Sequence, residues 1–482
     1  MESRNFIDGE WVDARDGATM TVRDPADDAS LASVPRCGAR EATACVDAAQ
    51  RALGAWRNTP APERANLLRR VADILRVRRD ALAALITSEN GKPIEESKGE
   101  VSYAADYFVC AAGEGERLVE ETIDPRGRPF ARRATPECLG VVAAITPWNF
   151  PLAMMARKTA PALATGCTQV VKPAEATPLS ALALGGVLHE AGLPRGVVNV
   201  VTGDPQAISD AWLRDGRVRG LSFTGSTAVG KDLMRRAADQ VVRLSLELGG
   251  LAPLIVFEDA DLDAAVEATV AGKFRCAGQT CICPNRILVA RPLVQPFALR
   301  LAERAAALPL GRGATPGTRM GPLINDAAVE KVRRHVADAL ARGGRLLCGG
   351  ATVPIAGGCD RFFAPTVITE VNARMLCFRE ETFGPLAPVA AFDDEASALG
   401  IANDTPYGLA SYIFTRDPSR AQRVTAQLRC GIVGVNTCLV SDATAPFGGW
   451  GWSGFGREGG RWGLDEYLSW KYSCHAVEAP HS

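Results

Sequence analysis

The stretch 273–286, KFRCAGQTCICPNR, carries three cysteines, Cys276, Cys281 and Cys283, within eight residues. Gly278, Gln279 and Thr280 run directly into Cys281. A glycine lets the backbone come close to a ligand, so a thiol placed after such a turn can be presented into a cleft as a nucleophile. Free cysteines are more often small buried hydrophobes, and a low thiol pKa needs surroundings that so short a window does not contain. The local pattern leaves both readings open. Glu247, in Glu247-Leu248-Gly249-Gly250, follows a predicted strand where two halves of the chain meet. A carboxylate there suits a general base, or else it pairs a backbone group. Asn149 stands between Pro147 and Pro151, which stiffen it. A fixed amide donor is what an oxyanion requires; an asparagine serving a turn is the plainer alternative. The run 225–231, GSTAVGK, nearly matches a nucleotide-binding P-loop, but Asp232 replaces the hydroxyl residue that would hold magnesium. What survives is a glycine-rich turn opening a helix, which suits a pyrophosphate.

These residues need a scaffold, and the chain from residue 141 onward reads as one. Strands are predicted at 141–145, 169–172, 197–201, 221–223 and 241–246, with helices at 154–164, 180–191 and 226–238. Strands alternating with helices mean βαβ units and a parallel sheet, which binds ligands beyond the carboxyl ends of its strands. That rule gathers Thr146-Pro147-Trp148-Asn149, Lys172-Pro173-Ala174-Glu175, Thr202-Gly203 and Thr224-Gly225-Ser226 at one edge. A second alternation follows Gly250, with strands at 254–256, 286–290 and near 411–414, and helices at 262–274, 294–307 and 328–342. Ahead of both, residues 5–25 read as short strands and turns. One helix is predicted over 63–86, with Arg69, Arg70, Arg76, Arg78 and Arg79 on a solvated face, and another over 95–119. Residues 122–137, rich in Pro, Arg and Gly, read as an excursion from the first domain. The tail, 462–476, reads as an apolar strand that must pair with this excursion or with another chain.

The whole chain narrows the class. At 482 residues it is too long for one core, so two or three domains are expected. Lys plus Arg total 54 against 55 for Asp plus Glu, which argues against a basic field for nucleic acid or a membrane. The 14 cysteines are scattered, histidines number 4, and no paired CxxC units occur. No metal site is read, and the cysteines are expected to be reduced thiols of a cytoplasmic protein. The N-terminus is polar and lacks the apolar core of a signal peptide. The most apolar stretch, 138–167, is interrupted by prolines and cations, short of the roughly 20 apolar residues of a membrane span.

PWNFP, KPAE, FTGST, LELGG, AGQTC, EETFGP and PFGG occur in that order from Pro147 to Gly449. In order and separation they resemble the NAD(P)-dependent aldehyde dehydrogenase superfamily. More narrowly, Met155-Ala156-Arg157-Lys158, Cys281-Ile282-Cys283, Gly434-Val435-Asn436 and Gly456-Arg457-Glu458-Gly459 resemble succinate-semialdehyde dehydrogenases. The resemblance implies an α/β fold: a Rossmann-like cofactor domain from 1–121 and 138–249, and an α/β catalytic domain over 250–445. It also implies an oligomerisation hairpin and tail at 122–137 and 461–482, with 446–460 returning near the active site. By position it makes Cys281 the nucleophile, Asn149 with the Cys281 N–H the oxyanion donors, and Glu247 the activator of the water that hydrolyses a Cys281 thioester. It places Thr146, Pro147, Trp148, Lys172, Ala174, Glu175, Gly203, Phe223, Gly225, Ser226, Leu248, Glu381 and Phe383 around the cofactor. It implies a homodimer or homotetramer.

Two choices follow from single positions. Glu175 can accept from both ribose hydroxyls of NAD and would repel the 2′-phosphate of NADP, so NAD is expected, with NADP the alternative. Arg157, Arg275 and Ser441 map to the residues that hold a substrate carboxylate in the resembling family. Two guanidinium groups facing a pocket call for an anion, so a semialdehyde acid such as succinate or glutarate semialdehyde is expected. A neutral or bulkier aldehyde is the alternative. Transfer of the acyl group to coenzyme A is the rival chemistry, and the presence of Glu247 argues against it. Cys276, Leu251, Trp450 and Trp452 depart from the family's usual residues and are expected near the pocket or just behind it. Cys283 raises the further expectation of a thiol partner that could trap Cys281 as a disulfide.

Overall fold

Two mostly parallel sheets face each other across the site. In the first, the strand order is Glu10–Val12, Asn5–Ile7, Val198–Val200, Thr168–Lys172, Val141–Ile145, Val218–Thr224, Arg243–Glu247 and Gly454–Phe455. The computed structural model describes residues 2–126 and 130–476. Five neighbouring strands, from Val198–Val200 to Arg243–Glu247, run parallel. Val141–Ile145, VVAAI, is almost wholly buried, and its unbroken apolar run is the mark of a strand covered on both faces. From this strand the chain winds outward through the next two, then crosses back to Val218–Thr224 on the other side. The reversal opens a crevice at the carboxyl ends of Val141–Ile145 and Val218–Thr224. Residues 146–149 and 225–226 emerge there.

The second sheet runs Arg345–Cys348, Thr366–Thr369, Leu386–Phe392, Pro284–Ala290, Ala252–Val256, Ala410–Phe414 and Ile432–Val435. Only four residues separate Glu247 at the end of the first sheet from Ala252 at the start of a strand in the second. The helix Pro151–Thr165 is buried at all 15 of its residues. It fills the space under the crevice and packs against the helix Ile94–Glu116.

The tail strand Leu468–Ala476 pairs antiparallel with Phe130–Cys138, from Leu468 opposite Cys138 to Ala476 opposite Phe130. Phe130–Cys138 pairs in turn with Glu121–Ile123. Of the two partners considered for the tail, the excursion is the one it takes in this chain. Met1, residues 127–129 of the hairpin and residues 477–482 of the tail lie outside the described residues.

Several elements differ from expectation. The helix predicted over 63–86 is two, Ala61–Val77 and Arg79–Asn90, broken at Arg78 (φ −89°, ψ 10°). The break lets Leu82, Leu85 and Ile86 face the core and brings residues 89–92 under the crevice. A helix at Pro205–Arg214 was not anticipated, although Asp204 caps it and Pro205 occupies its first turn. The strand Leu386–Phe392 contains Pro388, which masks a central strand in a sequence. The tail is not one strand from 462: a short helix, Gly460–Asp465, precedes it.

Candidate active site

Cys281 sits in the loop between the helix Leu262–Phe274 and the strand Pro284–Ala290. Two left-handed residues bend the loop, Cys276 (φ 49°) and Ala277 (φ 54°), followed by Gly278 (φ 73°). Gly278 has no substitute there, because a Cβ would strike the Gly384 carbonyl. The bend is pinned by the Cys276 N–H donating to Glu96 (2.9 Å), Gln279 Nε2 donating to the Cys276 carbonyl (3.0 Å) and the Ile324 N–H donating to Gln279 Oε1 (3.0 Å). Cys281 is thereby left partly exposed on the wall of a cleft of about 380 Å³.

Segments far apart in the chain converge on this cleft. Pro147, Trp148, Asn149, Gly225, Ser226 and Leu248 come from the first sheet's edge. Glu381 and Phe383 come from the segment before Leu386–Phe392, and Arg157, Arg275 and Ser441 line the same space. Trp148 and Phe383 meet edge to face, with centroids 5.6 Å apart. Ser226 caps the helix Thr227–Ala237, its side chain accepting from the Val229 N–H. Asn149 Nδ2 donates to the Gln279 carbonyl (2.9 Å).

The charges are unevenly satisfied. Arg157 Nε lies 2.6 Å from Glu458 Oε2, and Lys158 Nζ lies 2.5 Å from Glu458 Oε1 and 2.9 Å from Ser222 Oγ. These two cations hold the buried Glu458 carboxyl below the usual range although burial acts the other way. Arg157 Nη2 is buried and, among the described residues, has no hydrogen-bond partner. Arg275 lies 4.8 Å from the Phe150 ring centroid and, among the described residues, forms no ion pair. Glu247 is 3% exposed, and neither carboxyl oxygen has a partner among the described residues. Burial first, then the charge of Glu458, raises its pKa well above the ordinary carboxyl range, with Arg157 and Lys158 opposing. Enclosure, then the nearby Glu247, pushes the Cys281 thiol up to about 12, with Arg157 opposing.

Residues 11–473 match the model of the aldehyde dehydrogenase family. The chain belongs to that family. This aldehyde dehydrogenase is 49% identical to the NADP(+) succinate-semialdehyde dehydrogenase of Escherichia coli (strain K12), covering 97% of each chain. It is 47% identical to the glutarate-semialdehyde dehydrogenase of Pseudomonas putida KT2440, covering 98% of this chain and 97% of the other. Its structure superposes on that of succinate-semialdehyde dehydrogenase from Burkholderia pseudomallei with a TM-score of 0.97 at 50% identity, covering 98% of each. It is an oxidoreductase that works with NAD or NADP.

Not every expected residue of the aldehyde dehydrogenase reaches the cleft. Lys172 ends the strand next to Val141–Ile145 and Ala174 and Glu175 follow it, with Lys172 pairing with Glu175. Thr146 is buried, its N–H donating to the Lys172 carbonyl (3.1 Å). Phe223 is a strand residue whose ring underlies Gly225, leaving no room for a Cβ there. Gly203 is buried against the Cys37 backbone, with which it bridges, so it does not open toward the cleft. Leu251 is buried away from the cleft. Trp450 and Trp452 are exposed outside it, Trp452 stacking under Lys231 (3.4 Å) and against Tyr407. These three departures therefore do not shape the pocket. Cys283 is also absent from the cleft; its Sγ faces Lys273 Nζ at 3.2 Å inside the second domain's core. Tyr103, Phe150, Met154, Ile282 and Phe447 line the cleft and were not anticipated. Helical periodicity marks such residues as buried without saying against what.

The crevice fits the dinucleotide this family uses. The cradle needs Gly225, where a Cβ would meet Phe223, and Gly249, where one would meet the Glu381 carboxyl. The Ser226-capped helix start supplies outward N–H groups for a pyrophosphate.

Proposed function

We propose that this aldehyde dehydrogenase oxidises a semialdehyde acid of the succinate or glutarate type to the dicarboxylate, with NAD as cofactor. The observation that carries the reading is the pair of under-satisfied cations on the cleft that holds Cys281. Among the described residues Arg275 has no ion-pair partner and Arg157 has an unpartnered buried Nη2, and Ser441 lines the same cleft. A neutral aldehyde would leave these donors unpaired, whereas a terminal carboxylate satisfies them with charge-assisted hydrogen bonds. The names of the E. coli, P. putida and B. pseudomallei relatives support a substrate of this kind.

In this reading Cys281 Sγ adds to the aldehyde carbon, giving a thiohemiacetal. Of the two hydrogens on Asn149 Nδ2, one is held by the Gln279 carbonyl, which fixes the amide; the other, with the Cys281 N–H, holds the oxyanion. Gly225 and Ser226 would hold the cofactor's pyrophosphate, Lys172 and Glu175 its adenosine ribose with Trp148 nearby, and Glu381 with Phe383 and Leu248 the nicotinamide end. Bound there, the nicotinamide supplies the hydride acceptor. Glu247 takes the proton of the water that releases the acid from Cys281. The E. coli relative is named for NADP(+); here the half-exposed Glu175 carboxylate would repel a 2′-phosphate, which favours NAD. The two sheets support a division of the chain into cofactor and catalytic domains, and the exposed Trp470 and Tyr472 on the tail strand support a homodimer or homotetramer.

The test is the initial rate of reduced-cofactor formation with succinate semialdehyde, glutarate semialdehyde and butanal, each with NAD and NADP. At least one semialdehyde acid should exceed butanal in kcat/KM by about tenfold or more, the weight of one charge-assisted hydrogen bond, and NAD should exceed NADP. Butanal at parity with both acids removes the carboxylate reading.

A further inference from the structure

We infer that the buried ion pair Lys92–Glu100 is a positioning device for Asn149. The inference rests on the reading of Asn149 as the oxyanion donor. Both side chains are fully buried, with Lys92 Nζ 2.7 Å from Glu100 Oε2. Lys92 Nζ also donates to the main-chain carbonyl of Asn149 at 2.5 Å and lies 3.7 Å from the Phe150 ring centroid. The other oxygen of Glu100 accepts from the N–H groups of Leu152 (2.9 Å) and Ala153 (3.2 Å). These are among the first N–H groups of the helix Pro151–Thr165, which have no partner within the helix. One ion pair therefore grips the turn at the carbonyl of Asn149 itself and at the amides that follow it. Asn90 extends the grip by donating from Nδ2 to the Trp148 carbonyl at 3.0 Å. Gly91, between Asn90 and Lys92, has φ 85°, and a Cβ on it would collide with Pro322 and Pro25. This tight turn aims both donors at consecutive carbonyls.

A buried ion pair is a poor way to gain stability, since apolar residues of similar volume fill the same space without the desolvation cost. Here the pair does what apolar residues could not. An oxyanion donor must be held within a few tenths of an ångström, and it is held best by neighbours whose own positions are locked. Pro147 and Pro151 stiffen the turn from within, and Lys92–Glu100 locks it to the helix Ile94–Glu116 from below. Neither side chain lines the cleft, so both act through Asn149.

The experiment is a mutant cycle on the whole enzyme, assayed with succinate semialdehyde and with butanal, each with NAD. Lys92→Met and Glu100→Gln are made together, so that no charge is left buried alone, and combined with Asn149→Ala. The pair variant should lose about 10- to 100-fold in kcat with KM for NAD unchanged, and less than twofold further in the Asn149→Ala background. Lys92→Arg, which keeps the charge but moves the donors, is the second arm. It should lose several-fold in kcat, and nothing in the Asn149→Ala background; its cycle decides alone if the pair variant does not fold. Equal losses in both backgrounds, or a wild-type kcat in the pair variant, overturn the inference. A wild-type kcat in Asn149→Ala alone overturns the reading of Asn149, and the inference with it.

Discussion

Cys281 and Cys283 stand two residues apart and have opposite surroundings. Cys281 faces the cleft, whereas Cys283 is 1% exposed beside Lys273. The three cysteines of this loop are conspicuous in the sequence, but only the family resemblance singles out Cys281. What separates them is a backbone bend that no spacing reveals. Cys276 occupies a left-handed position, which asparagine tolerates better than most residues. Its Sγ lies against the Asn90 side chain and the Asn149 carbonyl rather than the substrate space. The raised pKa of Cys281 has a direct consequence. A thiol pushed up to about 12 is protonated at pH 7, so alkylation of Cys281 by iodoacetamide in the cofactor-free enzyme should rise about tenfold per pH unit from pH 7 to 10. Peptide mass mapping against pH measures it, and a plateau near pH 8, where an ordinary thiol titrates, contradicts it.

At the scale of elements, strands with continuous apolar runs were legible, and so were the turns at their ends that carry Asn149, Lys172 and Gly225. The helix Leu262–Phe274 has the predicted ends. Elements whose apolar pattern is broken were not legible, as at Pro388 within a strand and at Arg78 between two helices. In these, tertiary packing decides where a local pattern is ambiguous. Glu247 was read as following its strand and is the last residue of it, paired opposite Gly454. The returning segment at 454–455 therefore caps the sheet edge beside Glu247. The tail strand makes its own test. Trp470 and Tyr472, 48% and 58% exposed, share one face of Leu468–Ala476. Replacing both by Asp should yield a lighter species in sedimentation velocity with the thermal midpoint of the subunit little changed. An unchanged sedimentation coefficient counts against an assembly built on this face.

At the scale of the whole molecule, a crevice at the first sheet and the Cys281 loop ahead of a strand of the second share a single cleft. The sequence motifs pointed to part of that cleft, Pro147, Trp148, Asn149, Gly225, Ser226, Leu248, Cys281, Glu381 and Phe383 among its lining, and missed its apolar walls. They did not reveal how the charges pair. Arg157 is already shared with Glu458, so it is a half-occupied donor, whereas Arg275 has no such partner among the described residues. In the proposed function the substrate's carboxylate falls chiefly to Arg275. No helix among the described residues is long and apolar enough to cross a membrane.

The most direct measurement is the steady-state KM of Arg275→Ala for succinate semialdehyde and for butanal, compared with the wild type. Loss of a charge-assisted hydrogen bond is worth about 2 kcal/mol. That should raise the KM for the semialdehyde acid by about 30-fold and the KM for butanal by no more than about twofold. An equal change for both aldehydes, or none for either, would contradict the assignment of this cleft to a carboxylate-bearing substrate.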